Sequence, residues 1–232
     1  MISFFRQCAL FGLIAFLCMG PAYAQDEPIV PQDKTTVILA FGDSLIAGYG
    51  LKEGQDFASQ LERVLRPALD TSVRVINAGV SGETTAGGLA RVEWTLENID
   101  DKVDLVILEL GANDMLRGLP PAKVQENLYQ IIEKFADRGI HVLLAGMRAS
   151  NNLGEDYVEA FNRVYPNLAG AYPTVSLYPF FLDGVAGNPE LNQEDGIHPN
   201  AKGVKEIVER IKPYVLQELV DARDPGIANP LK

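Results

Sequence analysis

Cysteine and histidine are scarce in this chain of 232 residues, with two of each. Both cysteines, Cys8 and Cys18, fall within the first 24 residues, so the remainder has no thiol or disulfide chemistry to explain. Two histidines, His141 and His198, nearly exclude a His/Cys zinc site. Positive charge is also in short supply. Twenty Lys and Arg against 31 Asp and Glu give a net charge of −11, which repels nucleic acid, because that partner is held by basic patches. The sequence holds no Gly-x-Ser-x-Gly, no Walker loop and no Gly-x-Gly-x-x-Gly. The nucleophile elbow of α/β-hydrolases and the usual nucleotide cradles are thereby removed.

The one uncharged, mostly apolar run near the start, Cys8 to Met19, is shorter than the ~20 residues a membrane span needs. Arg6 precedes it, Gly20-Pro21 breaks it, and Ala22-Tyr23-Ala24 supplies a small-residue cleavage site. Residues 1–24 are therefore expected to be an export signal removed after Ala24. Leu17 before Cys18 argues against lipid attachment there. The expected product is periplasmic or secreted, with no stable membrane anchor after cleavage. Residues 25–35 read as a flexible leader.

From Thr36 onward, short apolar runs alternate with amphipathic stretches. Strands are expected at 36–41, 73–76, 103–110, 141–145 and 175–177, each a short apolar run. Helices are expected at 57–65, with apolar residues at helical spacing and Pro67 beyond its end, at 120–139, with Pro near its start and Gly at its close, and at 85–98, 156–168 and 201–220. Five strands alternating with helices imply an α/β domain over 36–220, with parallel pairing and helices on both faces, followed by a tail at 221–232. Ligands of such sheets bind beyond the carboxyl ends of the strands.

The unusual residues stand there: Gly42-Asp43-Ser44-Leu45 after the first strand, Gly79 after the second, Gly111-Ala112-Asn113-Asp114 after the third, and Asp195-Gly196-Ile197-His198-Pro199 before the last helix. A hydrolytic serine needs a base to take its proton and a carboxylate to orient that base. Ser44, His198 and Asp195 can supply all three. The Ser44 and Gly79 amides and the Asn113 side chain can supply donors for an oxyanion. Each segment taken singly also reads as a turn, a helix entry or a cap; their joint occurrence in this order points to catalysis. His141 lies inside an apolar strand and reads as structural. Ser81 reads as a loop residue and Trp94 as a packing residue.

These segments resemble the blocks of the SGNH (GDSL-type) hydrolase family. Gly42-Asp43-Ser44-Leu45 is similar to its first block, Gly79 to its second, Gly111-x-Asn113-Asp114 to its third and Asp195-x-x-His198 to its fifth. The resemblance runs from about Val37 to Tyr214. It is strongest to the bacterial periplasmic thioesterase I, protease I and lysophospholipase group and its arylesterase relatives. It implies a three-layer, flavodoxin-like α/β/α sandwich with a five-stranded parallel sheet. It also implies Ser44 as nucleophile, His198 as base and Asp195 as its orienter, with an oxyanion hole from Ser44, Gly79 and Asn113. The expected activity is hydrolysis of acyl esters or thioesters through an acyl-enzyme, by a monomer acting on a small molecule, with no metal or cofactor.

The loops around the site are rich in Leu, Pro, Phe and Gly, which favours an acyl group as substrate. Contacts are expected from Met115, Leu116, Leu119 and Pro120 on one loop and from Phe181 and Val185 on the other, with Pro121 beside the first group and Tyr178, Phe180, Leu182 and Ala186 beside the second. Carbohydrate O-deacetylation on the same scaffold is the alternative enzyme, and a non-catalytic binding module the alternative of another class.

Overall fold

The computed structural model describes residues 35–223. The expectations for 1–24 and most of 25–35 lie outside those residues. Five parallel strands form one sheet: β1 (Thr36–Gly42), β2 (Val73–Gly79), β3 (Leu105–Glu109), β4 (His141–Ala145) and β5 (Val175–Tyr178), in the order β2-β1-β3-β4-β5. β1 and β3 are buried along their whole length because helices cover both faces. β2, at the sheet edge, alternates in exposure through its first residues. β1 pairs Phe41 with Ala78 on one side and with Leu108 on the other, so the three strand ends carrying Gly42, Gly79 and Glu109 lie level.

The longer helices are α2 (Phe57–Leu65), α3 (Thr85–Glu97), α5 (Pro121–Ala136), α6 (Glu155–Ala171) and α7 (Ala201–Arg223); α2 and α7 pack together, as do α3 with α5 and α5 with α6. Two short helices escaped the sequence reading, α1 (Ser44–Ala47) and α4 (Ala112–Leu116). Each is a turn or so long and carries no apolar period that pattern could detect. α7 continues through Asp221 and Ala222 into the expected tail, with Asp221 buried.

Local chemistry sets the helix starts. Asp56 caps α2, accepting the Ser59 N–H at 3.1 Å, and its other oxygen takes the Ser59 hydroxyl at 2.6 Å. Pro121 opens α5 at a position where a missing N–H costs nothing. Aromatic edge-to-face pairs, Phe41 on Phe135 and Phe57 on Phe181, tie helices to the sheet or to the loop beyond β5.

Under the site, Arg91 of α3 clasps two strand ends. Its guanidinium donates to the Gly42 and Ala78 carbonyls at 3.1 and 2.9 Å, pairs with nearly buried Glu83 at 2.6 Å, and lies 3.9 Å over the Phe41 ring. β1 and β2 are thereby held together where the chain leaves the sheet. The strand order reverses between β1 and β3, which opens a crevice above those two strands.

Candidate active site

The crevice is where the unusual residues meet. β1 ends at Gly42, and Asp43 caps α1 by accepting the Leu45 N–H at 3.0 Å. Ser44 is thus the first residue of a helix, and its N–H has no acceptor within that helix. Ser44 Oγ lies 2.9 Å from His198 Nε2, and His198 Nδ1 lies 2.7 Å from Asp195 Oδ2. The three groups form one hydrogen-bonded line.

Asp195 Oδ1 accepts two backbone N–H groups, from Ile197 at 2.9 Å and His198 at 3.0 Å. The His198 backbone N–H, its ring and the Ile197 N–H together hold the Asp195 carboxyl down to about 2. The loop that carries both residues is closed by backbone pairing and by the Gln193 side chain, whose Nε2 donates to the Pro199 carbonyl at 3.0 Å. An isolated bridge joins Asn192 to Pro199, and Gln193 N–H donates to the His198 carbonyl at 2.8 Å. Gln193 Nε2 reaches the Tyr49 carbonyl at 2.7 Å, while the Tyr49 ring lies 4.7 Å from the imidazole. Tyr49 and Gln193 were missed in the sequence because neither carries a motif and their partner lies about 150 residues away.

Asn113, in α4, donates one Nδ2 hydrogen to Asp43 Oδ2 at 2.9 Å and keeps the other. Gly79 is differently engaged. Its N–H donates to Asn77 Oδ1 at 3.0 Å, and it does not line the pocket. Glycine is required there by α1: a Cβ would fall 2.2 Å from the Ala47 nitrogen. Asp114, beside Asn113, is buried and accepts the Thr85 N–H and hydroxyl at 2.8 and 2.7 Å, fastening α4 to α3.

A pocket of about 460 Å³ opens beside Ser44 and His198. Met115 and Leu116 line it as expected, and so do Phe180, Leu182 and Ala186. Six expected contacts do not line it: Pro121 is the first residue of α5, Tyr178 is buried against Tyr214 at the end of β5, and four others are turned elsewhere. Phe181 and Val185 are fully buried, since that side of the loop after β5 faces the core, where Phe181 meets Phe57. Leu119 turns away, its carbonyl taken by the Tyr157 hydroxyl at 2.8 Å, and Pro120 is spent as the cap of α5. In their stead the segment after β4 contributes Met147, Arg148, Ala149 and Ser150, with the Ala149 N–H held by Asn162 Oδ1 at 2.9 Å. The strand-end rule applied to β4 as to the others would have found them.

Trp94 does not line this pocket, and the residue is 65% exposed on α3 rather than packed. Ser81 is exposed in the loop after β2 and lies outside the pocket. His141 stands at the start of β4, the opposite end of the sheet, 3.9 Å from Glu218.

A doubly wound parallel sheet with a serine–histidine–aspartate line at its switch point defines a class, the serine hydrolases. Comparison with known proteins narrows it. Residues 40–205 match the GDSL-like Lipase/Acylhydrolase family. The chain is 40% identical over 185 residues to Esterase TesA of Pseudomonas aeruginosa, covering 80% of this chain and 90% of that one. It is 38% identical to an arylesterase of Vibrio mimicus, covering 91% and 97%. Among solved structures it is similar to the SGNH-hydrolase family esterase AlinE4, at 49% identity and TM-score 0.68, covering 79% of this chain and 96% of that one. It is also similar to the psychrotrophic esterase EstA from Pseudoalteromonas sp., inhibited by monoethylphosphonate, at 31% identity and TM-score 0.72, covering 80% and 99%. The chain belongs to the GDSL-like Lipase/Acylhydrolase family. It is a serine carboxylic ester hydrolase.

Proposed function

We propose that Ser44 is the nucleophile, His198 its general base and Asp195 the group that orients the base, acting on medium-chain acyl esters and thioesters. The observation that carries this reading is the unbroken line Ser44 Oγ–His198 Nε2–Asp195 at 2.9 and 2.7 Å, opening onto a mainly apolar pocket. Asp195, ionised, accepts a hydrogen bond from His198 Nδ1–H, which keeps the proton on Nδ1 and leaves Nε2 bare toward Ser44. As Ser44 Oγ attacks the acyl carbonyl, its proton passes to Nε2 and then to the departing alcohol or thiol. Water repeats the sequence on the acyl-enzyme and releases the acid.

The developing oxyanion is met by the Ser44 N–H and the free Asn113 Nδ2 hydrogen. The Gly79 N–H joins as a third donor by exchanging Asn77 Oδ1 for the oxyanion. The acyl chain lies against Met115, Leu116, Phe180, Leu182 and Ala186. Arg148 also lines this pocket, 5.2 Å from the Phe180 ring centre. The protein is exported with residues 1–24 removed and acts as a monomer. An intact mass that starts at Gln25, and a single species of one-chain mass in solution, are the expected measurements.

Labelling by a serine-directed phosphonate tests the chemistry. One equivalent should attach to the wild type and none to Ser44→Ala. Ser44→Ala, His198→Ala and the double variant should have nearly equal residual kcat, because the two groups act as one proton-transfer unit. Label retained in Ser44→Ala, or multiplicative losses in the double variant, would refute the assignment.

A further inference from the structure

Glu109 ends β3, a strand otherwise wholly apolar, and is fully buried. No step described above uses it. Its Oε2 accepts the Asp43 N–H at 3.4 Å, a long bond, and no N–H or hydroxyl donor among the described residues reaches its Oε1. An ionised carboxylate so placed would give up its hydration for one weak donor. The Glu109 side chain also lies within hydrogen-bonding reach of the Asp43 carboxyl. Both groups ionised would set two like charges together in a space water does not reach.

Asp43 is the better served of the pair. Its Oδ1 accepts the Leu45 N–H at 3.0 Å and its Oδ2 accepts Asn113 Nδ2 at 2.9 Å. Burial, and then the Asp43 charge, push Glu109 well above the usual carboxylate range. Burial raises Asp43 too, but its hydrogen bonds to Leu45, Asn113 and Glu109 pull it back. The one proton of the pair therefore belongs on Glu109 and the charge on Asp43. The other titratable neighbours are already committed: the Tyr165 hydroxyl donates to the Leu110 carbonyl, and Asp114 is held by Thr85. Gly42 is packed tightly here: a Cβ would come within 2.5 Å of the Glu109 backbone carbonyl and of Ile46 Cγ1, and 2.8 Å from Glu109 Oε2.

We infer that Glu109 is a positioning residue of the oxyanion hole. As a neutral acid it donates a hydrogen bond to Asp43 and keeps that carboxylate turned toward Asn113. Asn113 Nδ2 is thereby held with its second hydrogen in the crevice. Glu109 touches no substrate; it acts through Asp43 and then Asn113. The inference rests on the role given to Asn113 above.

Two substitutions test it. In Glu109→Gln the amide replaces the acid's O–H with an N–H and keeps an acceptor for Asp43 N–H, so kcat should stay within about threefold of wild type. Glu109→Met has similar length and no donor; kcat should fall about tenfold or more, with KM changed less than about twofold, the signature of a group felt in the transition state. In an Asn113→Ala background the same Glu109→Met change should cost less than about twofold, because its route to the oxyanion is already cut.

Equal losses from Gln and Met, or an undiminished Met effect in the Asn113→Ala background, would overturn the positioning role while leaving the oxyanion hole intact. An Asn113→Ala variant with unchanged kcat would instead refute the oxyanion assignment, and this inference with it. Should Glu109→Met fail to fold, infrared difference spectra of wild type against Glu109→Gln at neutral pH decide. A protonated-carboxyl stretch lost in the Gln variant supports the inference, and its absence from the wild type refutes it.

Discussion

Replacing Asp195 by asparagine should damage this enzyme more than deleting the side chain to alanine. The reason lies in how Asp195 is held. Oδ1 accepts two backbone N–H groups at 2.9 and 3.0 Å, and Oδ2 faces His198 Nδ1 at 2.7 Å. An asparagine must present its oxygen to the two backbone donors. The flipped amide would confront both N–H groups with its own NH₂ and forfeit two solvent-exposed hydrogen bonds, each worth roughly 0.5–1.5 kcal/mol net. A middle total of about 2 kcal/mol favours one orientation about thirtyfold. That orientation aims the amide N–H at Nδ1. The imidazole must then accept there and carry its proton on Nε2, facing Ser44 Oγ, where it cannot serve as base. A triad locked in that tautomer loses ~10⁴ in kcat.

In Asp195→Ala the ring keeps its choice of tautomer. Alanine removes all three hydrogen bonds, but only the one to Nδ1 acts on the base; that charge-assisted bond is worth ~1.5–3 kcal/mol, or about 10- to 150-fold. The assay is kcat on a soluble aryl ester at the pH plateau, with thermal melts to confirm folding. The acidic limb of kcat/KM supplies a second readout. Asp195 is depressed from the ordinary 3.8 to about 2, so its contribution is present above 3.8 and fades only as pH falls toward 2. Any part of the acidic limb that lies between 3.8 and 2 belongs to Asp195 and should disappear in both variants. An asparagine variant more active than the alanine variant would refute the argument.

The acyl preference follows from the pocket. On p-nitrophenyl esters and acyl thioesters, kcat/KM should climb from acetyl by up to about fourfold per methylene, from ~0.8 kcal/mol each, and then level off as the cavity of about 460 Å³ fills. Strict preference for acetyl, above all on acetylated sugars, would favour deacetylation instead. Leu116→Asp, at the pocket wall, should lower activity on medium chains and spare acetyl; a uniform loss across chain lengths would count against the acyl groove. Arg91→Met should destabilise the fold by ~3–5 kcal/mol, because Glu83 would be left nearly buried without its partner. Urea unfolding measures it, and Arg91→Met/Glu83→Gln should recover much of the loss; a single variant as stable as the wild type would show that the clasp is not needed.

The sheet was legible because its strands are short apolar runs with turn signals at their ends, and burial on both faces leaves such a pattern whatever the neighbours are. Ser44, Asn113, Asp195 and His198 were legible for a related reason: they are polar residues at strand ends or in a polar loop before the last helix, where an apolar sandwich has no structural use for them. A charged residue in Val-Ile-Leu-Glu-Leu is a signal of the same kind, and Glu109 could have been marked from it. Tertiary structure alone decided which face each loop residue presents. Phe180 and Phe181 are adjacent and alike in sequence, yet one lines the pocket and the other packs against Phe57. It alone gave the Gly79 N–H to Asn77 and joined Tyr49 to His198 through a loop more than 140 residues away. Periodicity reports burial along an element. Loops have no period, and their side chains are sorted only by the surfaces the rest of the chain brings to them.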